Sequence, residues 1–433
     1  MPNSVSACAD FFSRYIQYVG DTESPAIFHR WCAITAIGAL LGRNYHLHHG
    51  HFTVNANIYT MLVGNPGTRK STAIKLVKKL LVDSGYNTIA ADKTTKEKFL
   101  LDLSGEAELD EGFKTAGKGG ASDTSILDAN LWGDSDDELA SRPAAECFIM
   151  ADEWNDFTSL GNIEFYSLLG TFWDFSGIYK NRIKTGKSVN IANPTVSILS
   201  GNTPTGFSLA FPSEIIGQGF FSRLILVHGE STGRKIAFPA KPDPALAAEM
   251  SGYLNRLKYE CQGTIALTPT AQKLIEKIYA EYEGFEDARF ESYFNRRFTH
   301  LLKICLVCAA SRLSRSIGEQ DVLLANTILT HTENNMPKAL GEFGKGRNSD
   351  VANKVIDILA ATTKPLMFQD IWKLVAHDCD KQLTLGDVLT NLRAADKVQQ
   401  VQGGGFLAKR KPPKEVSNDL VNFELLTKEE RGL

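Results

Sequence analysis

The sequence predicts a multi-domain α/β protein built on a parallel sheet, and three observations carry that prediction. Short apolar runs at 59–63, 86–91, 146–151, 195–200 and 224–228 read as five strands, several of them separated by helical patterns. A glycine-rich turn, GNPGTRKS, joins the first run to the amphipathic segment TAIKLVKKLL. At 433 residues the chain is also too long for one ordinary core, so two or three domains are expected.

The elements follow in order. ADFFSRYIQYV and IFHRWCAITAIGALLG, within residues 8–41, carry apolar residues at three- and four-residue spacing and predict helices. RNYHLHHGHFTVNANIYTMLV then alternates around Gly50 and predicts β-structure. Its HLHHGH stretch lacks a nearby carboxylate or cysteine, which favours a polar hairpin over a metal site. The stretch from Ser104 to Ala140 holds ten acidic residues, two lysines and six glycines, a composition that buries little and predicts a mobile insertion over 103–140. FPAKPDP (238–244) reads as a connector, and Thr268-Pro269 as the cap and first residue of a helix. Long helical runs fill the following segment to about 340, and GKGRNSD marks a second boundary. Residues 351–411 hold three short helical runs and a hairpin around GGG, the pattern of a winged helix, with Arg393, Lys397, Lys409, Arg410 and Lys411 as its basic residues. That module suits either DNA or a protein partner. The expected boundaries are therefore 1–54, 55–237, 238–345, 346–411 and a loose polar tail over 412–433.

Composition narrows the class. A net charge of −3 gives no bulk basic signature, so nucleic-acid binding must come from local patches. The seven cysteines are scattered, and Cys305 and Cys308 lie in an apolar helical run, which points to core packing in a reducing compartment. No signal peptide and no apolar stretch of membrane-spanning length is present, so a cytoplasmic location in a bacterial or phage-infected cell is expected, with no membrane partner.

The chemistry-bearing residues sit at strand ends. In the turn after the first strand, the backbone N–H groups of Gly64, Asn65, Pro66, Gly67, Thr68, Arg69, Lys70, Ser71 and Thr72 (Pro66 excepted) can cradle phosphates at a helix N-terminus. Lys70 would reach the β- and γ-phosphates of ATP, and the Ser71 hydroxyl would bind Mg²⁺. Arg69 stands where the usual pattern has its last glycine. The third strand ends in Asp152-Glu153, a metal-shell carboxylate beside one able to polarise water. The fourth ends in Asn202, an amide suited to orienting that water, and Arg223 opens the fifth, where it could stabilise transition-state charge in cis or from a neighbour. Between them, IYKNRIKTGKSVNI reads as a hairpin carrying Lys180, Arg182, Lys184 and Lys187 with no acid, able to track a phosphate backbone.

The order and spacing of these motifs resemble an AAA+ ATPase over roughly residues 55–340. That family's GPPGTGKT stands here as GNPGTRKS, with Arg69 as the departure. The resemblance assigns Walker A to 64–71, Walker B to Asp152 and Glu153, sensor 1 to Asn202 and an arginine finger to Arg223. The basic hairpin resembles the pre-sensor-1 hairpin of superfamily 3 helicases, and the whole chain resembles the helicase-like replication ATPases of phages, plasmids and integrated elements. The resemblance implies a hexameric ring, single-stranded or forked DNA and replication proteins as partners, with ATP and Mg²⁺ as cofactors. Arg296, Arg297 and Lys303 lie in the lid segment, where Arg297 fits either a sensor 2 role or an ion pair. Three functions are compatible with the motifs: a DNA helicase or translocase, an AAA+ regulator or loader that does not unwind, and a scaffold that binds DNA without hydrolysis. The basic hairpin favours the first, and the set Lys70, Ser71, Asp152, Glu153, Asn202 and Arg223 argues against the third.

Overall fold

The computed structural model describes residues 10–20, 22–105, 143–182, 189–211, 215, 219–282, 284, 287–341, 349–362, 364–376, 382–394, 397–401, 403–409 and 419–431. The acidic insertion lies almost wholly outside them. The protein is mixed α/β and divides into two compact units, 1–341 with 419–433, and 342–418.

In the first unit, helices α1 (Phe11–Val19) and α2 (Ala26–Leu41) precede a hairpin of β1 (Tyr45–His49) and β2 (Phe52–Asn55). The parallel sheet follows, formed by β3 (Tyr59–Val63), β4 (Glu146–Ala151), β7 (Thr195–Asn202) and β8 (Leu224–His228) in the order β4-β7-β3-β8. β5 (Ile178–Asn181) and β6 (Val189–Ala192) form a separate antiparallel pair. All five residues of β3 are buried, as a parallel strand covered on both faces requires. α2 is buried along all sixteen residues; its sequence is apolar on every side, and it packs on the sheet, on the helix Lys70–Asp83 and on the helix Arg297–Ala310. Two of its polar side chains are paired in the core: Thr35 Oγ1 lies 2.7 Å from Thr60 Oγ1, and Trp31 Nε1 donates to Thr332 Oγ1 at 2.8 Å.

The fifth expected strand, 86–91, is reduced to an isolated parallel bridge. Ile89 pairs with Phe148 through Ala90 N–H to Phe148 O and Phe148 N–H to Thr88 O, at 2.9 and 2.8 Å. Two hydrogen bonds at a sheet edge, with no further strand beyond among the described residues, do not sustain a ladder. Among the described residues the sheet has four strands.

A second sheet joins distant parts of the sequence. β1 pairs in parallel with β9 (Gly263–Leu267), which pairs with β10 (Ser316–Ile317). The histidine-rich hairpin is thus one edge of a shared sheet. His46 is satisfied by Arg43 O and Thr264 Oγ1, each at 3.0 Å, and no metal-binding group occurs among the described residues. Thr268 caps the helix Pro269–Glu281, accepting from Ala271 N–H, and Cys305 and Cys308 are buried in the core.

The tail departs from expectation. Residues 419–431 pack onto the first unit: Leu420 and Leu426 are buried, and Asn326 Nδ2 donates to Leu420 O at 2.7 Å. Arg30 Nε and Nη2 bond Glu430 at 2.7 and 3.1 Å, a bidentate pair whose side chains are 6% and 0% exposed. Burial pushes the Glu430 carboxyl up, but Arg30 and the Thr427 bonds outweigh it and hold it below the usual range. Glu430→Ala is expected to lower unfolding free energy by about 3 kcal/mol, measured by urea titration, because it strands a buried guanidinium. With the folded value depressed, the stabilisation is full above the unfolded carboxyl value, about 4.3, and is lost as pH falls through the folded one.

The second unit contains the helices Ser349–Ala360, Phe368–Val375 and Gln382–Ala394 and a ribbon of β11 (Val398–Gln400) and β12 (Phe406–Ala408). Val355, Ile371, Val375, Leu385, Leu389 and Val398 fill its own core. Among the described residues, no helix is long and apolar enough to cross a membrane.

Candidate functional site

Parallel register aligns the strand ends. Val63 is the partner of both Asn202 and His228, so β3, β7 and β8 finish at one edge, and the turns that follow them converge there. In the order β4-β7-β3-β8 the chain leaves β3 toward β4 on one side and leaves the adjacent β7 for β8 on the other, so this edge is a topological switch point, where open α/β sheets bind ligands. β4 stops opposite Ser200, which brings Asp152 against Gly201. A Cβ on Gly201 would stand 2.6 Å from Asp152 O and 3.4 Å from Lys70 Cβ. Gly201 therefore lets the lysine helix and the acidic turn approach β7, a role the sequence did not single out.

The loop after β3 turns into the helix Lys70–Asp83, fourteen residues long, whose N-terminus faces this edge. Gly64 is needed because a Cβ would meet Gly229 O at 2.6 Å. Arg69 is the N-cap at φ 60°, ψ 31°, in the left-handed region where a non-glycine residue costs about 1 kcal/mol. That conformation explains why the usual pattern has glycine here. The Arg69 guanidinium points to Glu23, with both Nε and Nη2 2.6 Å from Glu23 Oε2.

Lys70 curls over the loop. Its Nζ donates to Gly64 O at 2.7 Å and to Asn65 O and Thr68 Oγ1 at 3.3 Å. Burial pushes the ammonium down, and the Glu153 carboxylate opposes that shift, so lysine and acid sense each other. Asp152 is part-exposed and pairs with Lys75 Nζ at 2.8 Å. Glu153 is exposed, in extended conformation, at the start of the short helix Trp154–Phe157. Asn202 is buried, and its amide is held on both sides: Oδ1 accepts from Thr203 N–H at 2.9 Å, and Nδ2 donates to Asn155 Oδ1 at 3.2 Å. Asn155, which donates in turn to Gly206 O at 3.2 Å, is a second residue that only the structure reveals. Ser71 is half-buried and Thr72 exposed in the first helical turn.

Two cavities flank the loop. One, of about 520 Å³, is lined by Asn65, Pro66, Thr68, His228, Glu230 and Lys338. Glu230 Oε1 lies 3.3 Å from Lys338 Nζ and 3.6 Å from His228 Nε2. The other, of about 490 Å³ and largely apolar, lies between Tyr18, Glu23, Arg69, Thr72, Leu76 and Ile236.

Other expected residues lie elsewhere. Arg223 is at the opposite end of the sheet, just before Leu224, the partner of Tyr59. Five residues of strand separate it from the loop edge, about 16 Å. Its guanidinium lies 5.6 Å from the Trp173 ring centre and donates to Gly219 O at 2.5 Å; burial, then Arg296, push it down. Arg223 does not reach its own chain's loop. Arg297 is a core residue rather than a nucleotide sensor: it is buried, pairs with Glu333 at 3.0 Å, donates to Asn326 Oδ1 at 2.8 Å, and stacks 3.9 Å from the Tyr282 ring. Lys303 is buried against Asn55 O and Asn57 Oδ1 at 3.0 and 2.8 Å, and burial pushes it down to about 8. Among the described residues, Lys338 of the helix Glu319–Leu340 is the lysine that lines the cavity beside the loop. In the hairpin, Lys180 and Arg182 are exposed, while Lys184 and Lys187 lie outside the described residues.

No protein-family model matches the chain, and no curated protein matches it significantly.

Proposed function

We propose that the chain is an ATP-hydrolysing, DNA-binding motor of the AAA+ superfamily 3 helicase-like type, acting as a ring-forming replicative helicase or translocase. The observation that carries this reading is the meeting of the Gly64–Ser71 loop, Lys70, Asp152-Glu153 and a clamped Asn202 at one edge of a parallel sheet. The Ile89 bridge beside β4 supplies the remnant of a fifth strand for a P-loop core, and the second unit's three helices and ribbon are compatible with a winged helix.

Each residue has a task in this reading. The loop N–H groups and the helix N-terminus bind the phosphates. Lys70 exchanges its carbonyl acceptors for phosphate oxygens at little cost, since those acceptors are part of the same loop. The hard oxygen donors Ser71 and Asp152 suit Mg²⁺, and the exposed Lys75 that pairs with Asp152 is readily displaced. When bound, Mg²⁺ would neutralise phosphate charge. Glu153, exposed to solvent, takes a proton from water, and Asn202 holds that water by its oriented amide. The base and ribose fit the apolar cavity beside Thr72 and Leu76. Arg223 serves a second copy of the chain, since its distance from its own loop excludes a role in cis.

ATP hydrolysis measured with and without single-stranded DNA tests the proposal. DNA-stimulated turnover supports a motor; turnover indifferent to DNA supports the regulator or loader, and none at all overturns the hydrolytic reading. Lys184→Ala with Lys187→Ala is expected to weaken single-strand binding and to reduce the salt slope by about 1.4, two phosphate contacts at ~0.7 each. A fluorescence-anisotropy titration over a salt series measures it, and unchanged affinity removes the hairpin from the interface.

A further inference from the structure

The structure assigns Glu23 as a positioning residue for the phosphate loop, one that locks Arg69 in the left-handed conformation that glycine would otherwise supply. This inference rests on the nucleotide reading of the site and concerns a residue outside its motifs.

Four contacts make Glu23 a fixed anchor. Its Oε2 takes Arg69 Nε and Nη2, both at 2.6 Å. Its Oε1 accepts from Ile236 N–H at 2.7 Å, and its carbonyl accepts from Thr232 Oγ1 at 3.0 Å. The Ile236 N–H and then Arg69 hold its carboxyl below the usual carboxylate range. The adjacent residue completes the grip: Ser24 Oγ donates to Arg69 O at 3.1 Å. Backbone and side chain of Arg69 are thus both held by residues 23 and 24.

The consequence follows from the position of Arg69. It is the last residue before the helix, so its dihedrals set the direction of the N–H groups of Lys70 and Ser71. A glycine there is free to take φ 60° but also free to leave it. An arginine resists φ 60°, and without an anchor it would relax toward ordinary values and turn the loop. With Glu23 in place the loop is preorganised, so less ordering remains for the ligand to drive. The same contacts tie the loop to the segment 232–236, whose Ile236 lines the apolar cavity.

The test is a double-mutant cycle read by a fluorescent ATP analogue, with Glu23→Gln, Arg69→Gly and the pair. Glu23→Gln keeps the shape and the Ile236 acceptor but removes the charge. It is expected to raise the dissociation constant about fivefold, with the ligand-free melting temperature nearly unchanged. The same change in the Arg69→Gly background is expected to have no effect, since no guanidinium remains to be held. An equal loss in both backgrounds, or no loss in the first, overturns the assignment while leaving the nucleotide site standing. Failure of the unmodified protein to bind the analogue overturns the nucleotide reading and the assignment with it.

Discussion

Replacing Lys70 with alanine is expected to lower steady-state ATP hydrolysis by at least about a hundredfold and to weaken nucleotide binding. The structure explains the size. Lys70 Nζ already lies inside the loop, 2.7 Å from Gly64 O, so in the proposed reading it has only to exchange acceptors within the loop for phosphate oxygens. Neither nearby lysine sits inside the loop: Lys75 pairs with Asp152 on the helix surface, and Lys338 pairs with Glu230. Loss of folding would mimic loss of catalysis, and the melting temperature separates them. Burial pushes the Lys70 ammonium down, which offsets part of what its three hydrogen bonds within the loop contribute, so the alanine variant is expected to remain folded. A variant that folds, binds weakly and does not turn over supports the role. Unchanged hydrolysis removes Lys70 from the site.

Glu153→Gln is expected to separate binding from chemistry. The substitution is isosteric, and Glu153 makes its helix start through extended backbone rather than a side-chain cap, so local structure should persist. The amide cannot take a proton from water, and a positioned general base contributes about 10²–10⁴ in rate. Phosphate release should fall by that factor while affinity for the ATP analogue stays within a few fold. Asn202 and Asn155 would still hold their places, because their mutual bond does not involve Glu153. Normal turnover in this variant would mean that another group activates the water, and would redirect the search to the His228–Glu230 side of the loop.

Much of the site could be read from the chain because its signals are local. An apolar run ending in Asp152-Glu153, another ending in Asn202, and glycines before Lys70 and Ser71 all lie within a few residues of the elements that position them. The α/β class followed from the same runs. What failed to show were properties set by partners far away in sequence. Arg297 had the same composition around it whether it faced a phosphate or Glu333, thirty-six residues on. The edge segment 86–91 looked as apolar as the true strands, and only its place outside β4 reduced it to a bridge. The tail read as loose because its polar composition hides two buried leucines and Glu430, whose partner Arg30 lies four hundred residues earlier.

By itself, then, the sequence determined the four paired strands of the sheet, the helix after the glycine-rich loop and the residue types at the strand ends, since periodicity and turn chemistry act over a few residues. Tertiary structure decided the rest. It set Arg223 at the far end of the sheet, put Lys338 rather than Arg297 beside the loop, and clamped Arg69 with Glu23. Those outcomes depend on which distant surfaces meet, and burial and charge pairing are properties of that meeting rather than of any short stretch of chain.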